Sequence, residues 1–143
     1  MIINAENRVI GRLASEIARK AKEGEEIKVI NSEKVVISGE EKQVMKDYKQ
    51  KYERGTRHRG PYFPKRPDKI LKRTIKGMLP TNKPEGREAI SNVKTYLSIP
   101  IEMEKEEITE AENVKKGDEL KNRNYVKLGD VSKHIGWTPR GEE

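Results

Sequence analysis

Ile10-Gly-Arg-Leu-Ala-Ser-Glu-Ile-Ala-Arg-Lys-Ala-Lys22, stopped by Gly24 and followed by Ile27-Lys-Val-Ile30, is the stretch that sets the fold class. Ile10, Leu13, Ala14, Ile17, Ala18 and Ala21 recur at helical spacing and fill a wedge of about 140° at 100° per residue. Arg12, Ser15, Glu16, Arg19 and Lys22 project the other way. Such a helix has one apolar face to bury, most simply against a sheet. The β-branched run from Ile27 reads as one strand of that sheet, and Ile2-Ile3 begins another.

Outward from this unit, Val35-Val-Ile37 follows the turn formers Asn31-Ser-Glu-Lys34, so that Ile27 to Ile37 reads as one or two strands interrupted by a turn. Ser38-Gly-Glu-Glu41 has the pattern of a capping box, with Ser38 as N-cap and Glu41 at the third helical position. The helix behind it would bury Val44, Met45, Tyr48 and Tyr52, expose Lys42, Lys46 and Lys49, and end at Gly55. Strand, helix, strands and helix in this order predict an α/β fold with a small, mainly parallel sheet between helices. Asp68 predicts the N-cap of a helix that runs to Lys76 before Gly77 and Pro80 close it. Thr81 to Gly86 reads as a turn, and Ala89, Ile90, Val93 and Leu97 as one more helix running toward Pro100.

The core is expected to end there, so that 1–143 forms a single domain with a core of about 1–100 and a peripheral extension over 101–143. Residues 102–119 hold eight Asp/Glu and three Lys, an acidic tail expected to be solvated or helical on the surface. Tyr125 to Leu128 then reads as a short strand, and Asp130 to Ile135 as a short capped helix.

The charge is concentrated. Residues 42–87 carry 15 Lys/Arg against four Asp/Glu, a net +11, while the rest carries 16 against 20, a net −4 within a total of +7. At the centre lies Gly55-Thr-Arg-His-Arg-Gly-Pro-Tyr-Phe-Pro-Lys-Arg-Pro67, whose prolines at every third position favour a stiff, extended arm. Cations at that density repel one another unless a counter-charge arrives, which singles the arm out from an ordinary solvated face. With 32% hydrophobic and 38% charged residues over 143 positions, and a mean hydropathy of -0.98, the core is thin.

Most chemistry is excluded. There is no Cys, hence no disulfide, thiolate metal site or Cys nucleophile, and the two His, His58 and His134, make a poor metal site among so many cations. Gly55 and Gly60 have the spacing of a P-loop, but Pro61-Tyr62 stands where Lys and Ser/Thr must follow. No G-x-G-x-x-G follows a strand, so no cofactor is expected. No apolar run has the length of a membrane span, the amino terminus lacks a signal core, and the default location is the cytoplasm.

What fits is RNA. Arg54, Arg57, Arg59, Lys65, Arg66, Lys69, Lys72, Arg73 and Lys76 are candidate phosphate contacts, the last four sharing a face of about 100°. His58, Tyr62 and Phe63 are candidates for stacking on unpaired bases, with packing of Tyr62 and Phe63 onto the protein as the alternative. Two other classes compete: an RNA-modifying enzyme, for which no catalytic pair is visible, and a protein-interaction module built on Pro61-Tyr-Phe-Pro64.

Four strings occur together and in order: Val9-Ile-Gly-Arg-Leu-Ala-Ser15; Val29-Ile-Asn-Ser-Glu-Lys34 with Ile37-Ser-Gly39; Arg57 to Pro67; and Ile75-Lys-Gly-Met-Leu-Pro80 followed by Gly86-Arg-Glu-Ala89. Over roughly residues 1–100 the chain resembles the thirteenth large-subunit ribosomal protein family in its archaeal and eukaryotic form. The resemblance implies an α/β domain that binds large-subunit ribosomal RNA (rRNA), takes part in subunit assembly beside neighbouring ribosomal proteins, and uses no small-molecule substrate. It adds Arg12, Lys83 and Arg87, which lie in or beside the matched strings, to the candidate RNA contacts.

Overall fold

A computed structural model describes residues 1–53, 64–101, 108–110 and 124–138. In chain order the elements are β1 (Ile2–Asn4), α1 (Ile10–Lys22), β2 (Ile27–Ile30), a single 3-10 turn (Ser32–Lys34), β3 (Val36–Ser38) and α2 (Glu41–Glu53). Then follow α3 (Pro67–Gly77), α4 (Pro84–Ser91), β4 (Val93–Thr95), β5 (Thr109–Glu110), β6 (Tyr125–Lys127) and α5 (Leu128–His134). The main sheet has the order β4-β2-β1-β5, and every pairing in it is parallel, with Ile3 opposite Val29 and Ile27 opposite Val93. β3 and β6 form a separate antiparallel pair.

The opening helix behaves as its spacing dictates: all six apolar positions of α1 are buried, and Gly24, at φ 92, takes the positive-φ conformation that ends it. Strand alternation then sorts the sheet. Ile3, Ile27, Val29 and Val93 face the helices and join the main core with Leu13, Ile17, Ile70, Leu71, Ile75 and Ala89. Their neighbours Ile2 and Ile30 form a smaller cluster with Tyr96 and Ile108, to which no described helix contributes. The expected sheet between helices is thus refined: α1, α3 and α4 all deliver their apolar residues to one core.

At the carboxyl ends of β1 and β2, Asn31 sits at φ 58 and its side-chain amide donates to Asn4 Oδ1 at 2.9 Å. Asn tolerates this left-handed backbone better than most residues, and the kink starts the 3-10 turn.

Several expectations are corrected. Ser38 ends β3 and α2 begins at Glu41, which is therefore the first helical residue and not the third of a capping box. Val44, Met45, Tyr48 and Tyr52 do form the inner face of α2, as spacing predicts. At α3 the N-cap is Arg66, not Asp68: Pro67, with its fixed φ and missing N–H, suits the first helical position. Just past α3, Met78 is exposed and Leu79 is buried.

The helix expected to reach Pro100 stops at Ser91, because Val93 pairs in β4 with Ile27 of β2. Gly86, read as a turn residue, lies inside α4. A Cβ there would overlap the Pro80 carbonyl and stand 2.8 Å from the Thr81 nitrogen, so only glycine lets α4 rest on that turn.

The core does not end near residue 100. Val126, Leu128, Val131 and Ile135 belong to the main cluster, Leu128 and Val131 with no exposure at all. α5 starts at Leu128, two residues before the expected cap, and packs on the 3-10 turn and α2. Within the acidic stretch, Thr109–Glu110 is not helical but forms an edge strand on β1.

Candidate nucleic-acid interface

α3 carries the candidate surface, and its burial explains the geometry. Ile70, Leu71 and Ile75 pack inward toward α1 and β4, and the Asp68 carbonyl accepts a hydrogen bond from Thr95 Oγ1 at 2.9 Å. With that side pinned, Lys69, Arg73 and Lys76 are exposed and Lys72 is half-buried. Lys69 and Lys76 lie seven residues apart, about 10 Å along the axis. Among the described residues, no ion pair engages Lys69, Lys72 or Lys76. A row of cations with no carboxylate to neutralise it is what a polyanion requires.

Other candidates are placed less openly. Arg66 spends part of its guanidinium on Asp68 Oδ2 at 3.2 Å, close to the helix start. Lys65 directs its ammonium onto the ring of Tyr52, 5.0 Å from the centroid. Lys83 shares a concavity of about 620 Å³ with Glu23, Glu85 and Glu88, so its field is partly cancelled, while Arg87 is exposed on α4.

On α1, Arg12 is exposed and is in no ion pair among the described residues. Seven residues on, Arg19 is held by Glu16 at 2.6 Å and Glu23 at 3.3 Å. The hydrogen bond from Arg19 lowers the Glu16 pKa, and the same bond raises that of Arg19. Arg54, Arg57, His58, Arg59, Tyr62 and Phe63 lie outside the described residues.

α2 carries a second row of exposed lysines, Lys42, Lys46 and Lys49. Lys46 and Lys49 line a concavity of about 560 Å³ together with Gln50 and Glu53. On its inner side, burial pushes the Tyr48 hydroxyl pKa up. The aromatic partner of Lys65 was not visible in sequence, because a contact across thirteen positions leaves no periodic signal. Among the described residues, no group of three or more His, Asp or Glu is placed to hold a metal ion, and no helix is long and apolar enough to cross a membrane.

Residues 1–102 match the family model described as Ribosomal protein L13. The chain belongs to the ribosomal protein L13 family. Relatives in that family bear the name large ribosomal subunit protein uL13. The one from Methanosarcina barkeri is 44% identical over 138 residues, covering 94% of this chain and 96% of its own length. Those from Archaeoglobus fulgidus and Methanopyrus kandleri are 39% and 40% identical, covering 95% and 98% of this chain and 87% and 89% of theirs. The likeness to L13 proteins thus continues past the motifs of the first hundred residues into the segment that forms β6 and α5.

Proposed function

We propose that this L13-family chain is a structural constituent of the large ribosomal subunit, where it binds large-subunit rRNA and takes part in subunit assembly. The observation that carries the reading is the outward face of α3, three lysines without an acidic partner among the described residues, on a helix whose other side is locked into the core. Membership in a family whose relatives are named large ribosomal subunit proteins supports the same reading. The arm residues Arg54, Arg57, Arg59 and His58 extend this contact, Tyr62 and Phe63 stack or pack beside it, and Arg12, Arg66, Arg73 and Arg87 add phosphate contacts. Neighbouring large-subunit proteins are its other partners. The chain works as one domain in the cytoplasm, needs no cofactor, and carries no catalysis of its own.

The test is to fractionate a cell lysate on a density gradient and follow the protein. Comigration with large subunits that persists in moderately high salt is expected. Migration as free protein at low salt would overturn the proposal.

A further inference from the structure

α2 is held to the core more lightly than α1 or α3. Val44 is its single buried residue, and Met45, Tyr48 and Tyr52 pack beside it partly buried. Its outer side carries Lys42, Lys46 and Lys49, all exposed. Lys42 and Lys46 are four residues apart, and Lys46 and Lys49 three, so they are neighbours on the helix surface, where like charges destabilise it. Lys42 is also the second residue of α2, where the positive end of the helix dipole disfavours a cation. Among the described residues no ion pair offsets these costs at Lys42, Lys46 or Lys49. The Asp47 carboxylate of the same helix accepts a hydrogen bond from Gln43 Nε2 at 3.0 Å. Glu53 shares a concavity with Lys46 and Lys49 without forming an ion pair to either. Lys51, the remaining lysine of α2, differs from the row: its ammonium lies over the Tyr48 ring, 4.8 Å from the centroid.

A lightly held helix that repels itself along one face is stabilised by a negative charge brought from outside. We propose that Lys42, Lys46 and Lys49 form a second phosphate-binding row, so that rRNA binds α2 as well as α3. The proposal rests on the rRNA reading above and adds three residues to it. Lys42 and Lys49 are seven residues apart, about 10 Å along the axis, the same span that Lys69 and Lys76 cover on α3. Both rows belong to residues 42–87, which carry the net +11. A phosphate chain bears a charge at every nucleotide and can answer both rows at once, whereas an acidic protein segment is the competing occupant that the experiment separates from it. The row works against the free fold and for the complex, and its removal therefore has opposite signs in the two states.

The experiment compares the full chain with the triple variant Lys42→Gln, Lys46→Gln, Lys49→Gln. Binding to deproteinised large-subunit rRNA across a salt series should weaken by roughly 10- to 100-fold near physiological salt, with the slope of log K against log salt flattened by about 2 units. Unfolding of the free variant in denaturant should shift to higher concentration, because Gln matches Lys in helix propensity and lacks its charge. The triple Lys→Arg variant, which keeps the charge, should retain the parent slope. Parent-like affinity and slope in the Gln variant would overturn the proposal and leave the row to an acidic protein partner. Weaker binding with a parent-like slope would overturn it too, since it marks a damaged fold and not lost phosphate contacts. Lys46→Gln alone, at the middle of the row, tests the same point with a slope change of about one unit should the triple variant fail to fold. Absence of salt-dependent binding by the parent chain would instead overturn the rRNA reading, whereas a parent that binds and a Gln variant that matches it would remove only the second row.

Discussion

α1 and α3 pack against each other and bury their apolar faces in the same core, yet their outer faces differ in kind. On α1, Glu16 takes Arg19 at 2.6 Å and Lys20 at 3.9 Å, and Glu23 takes Arg19 again at 3.3 Å. On α3, Lys69, Lys72 and Lys76 have no ion pair among the described residues. Both helices are rich in Lys and Arg, so counting cations would not separate them. Pairing does: a cation already matched by its own helix gains little from a phosphate, whereas an unmatched one gains the full contact and releases a counterion.

If about 6 to 10 phosphates are contacted, affinity for large-subunit rRNA should fall by roughly 10³ to 10⁵ between 50 and 200 mM salt, and a flat titration would remove the premise. Replacing Lys69, Lys72, Arg73 and Lys76 together by Gln should weaken binding by roughly 10²- to 10³-fold near physiological salt and flatten the slope by about 3. The matching change on α1, Arg19→Gln with Lys20→Gln, should alter affinity by less than about threefold. Equal losses from the two sets would show that total charge, and not pairing, governs the contact.

Stability should respond to the opposite faces. Leu71→Ala, at a position with no exposure, should cost about 2 kcal/mol or more in chemical denaturation, whereas Met78→Ala, half in solvent, should stay within about 0.5 kcal/mol. A large loss from Met78→Ala would mean that the face of α3 is misassigned. The smallest effect concerns Glu16. Its pKa is lowered in the folded state, chiefly by the Arg19 hydrogen bond, so the pair stabilises above the ordinary carboxylate range and that contribution is lost as pH falls through the lowered value. Glu16→Gln should remove this component from a stability profile below pH ~5. Unchanged pH dependence would show that the pair is not maintained in solution.

Legibility followed the range of the interaction. The six inward positions of α1, the basic face of α3 and the inner face of α2 were all readable, since a helix repeats its environment every 3.6 residues and the signal lies within one short window. Val93 was misread because its spacing after Ala89 suits a helix equally well, and pairing with Ile27 settles the matter from far upstream. The start of α3 moved by two residues because Pro67 competes with Asp68 for the boundary. Lys65 looked like any other cation of the arm until Tyr52 and Gly136 were brought to it.

Composition and periodicity alone established an α/β chain with one concentrated basic region and one helix whose cations share a face. Both follow from local spacing and from charge that no rearrangement can remove. Folding in three dimensions placed Val93 in β4 against Ile27, and it drew Val126, Leu128, Val131 and Ile135 into a core that the acidic stretch before them seemed to exclude. These outcomes depend on contacts between residues tens of positions apart, as when Val126 pairs with Ile37, and no short window of sequence contains both partners.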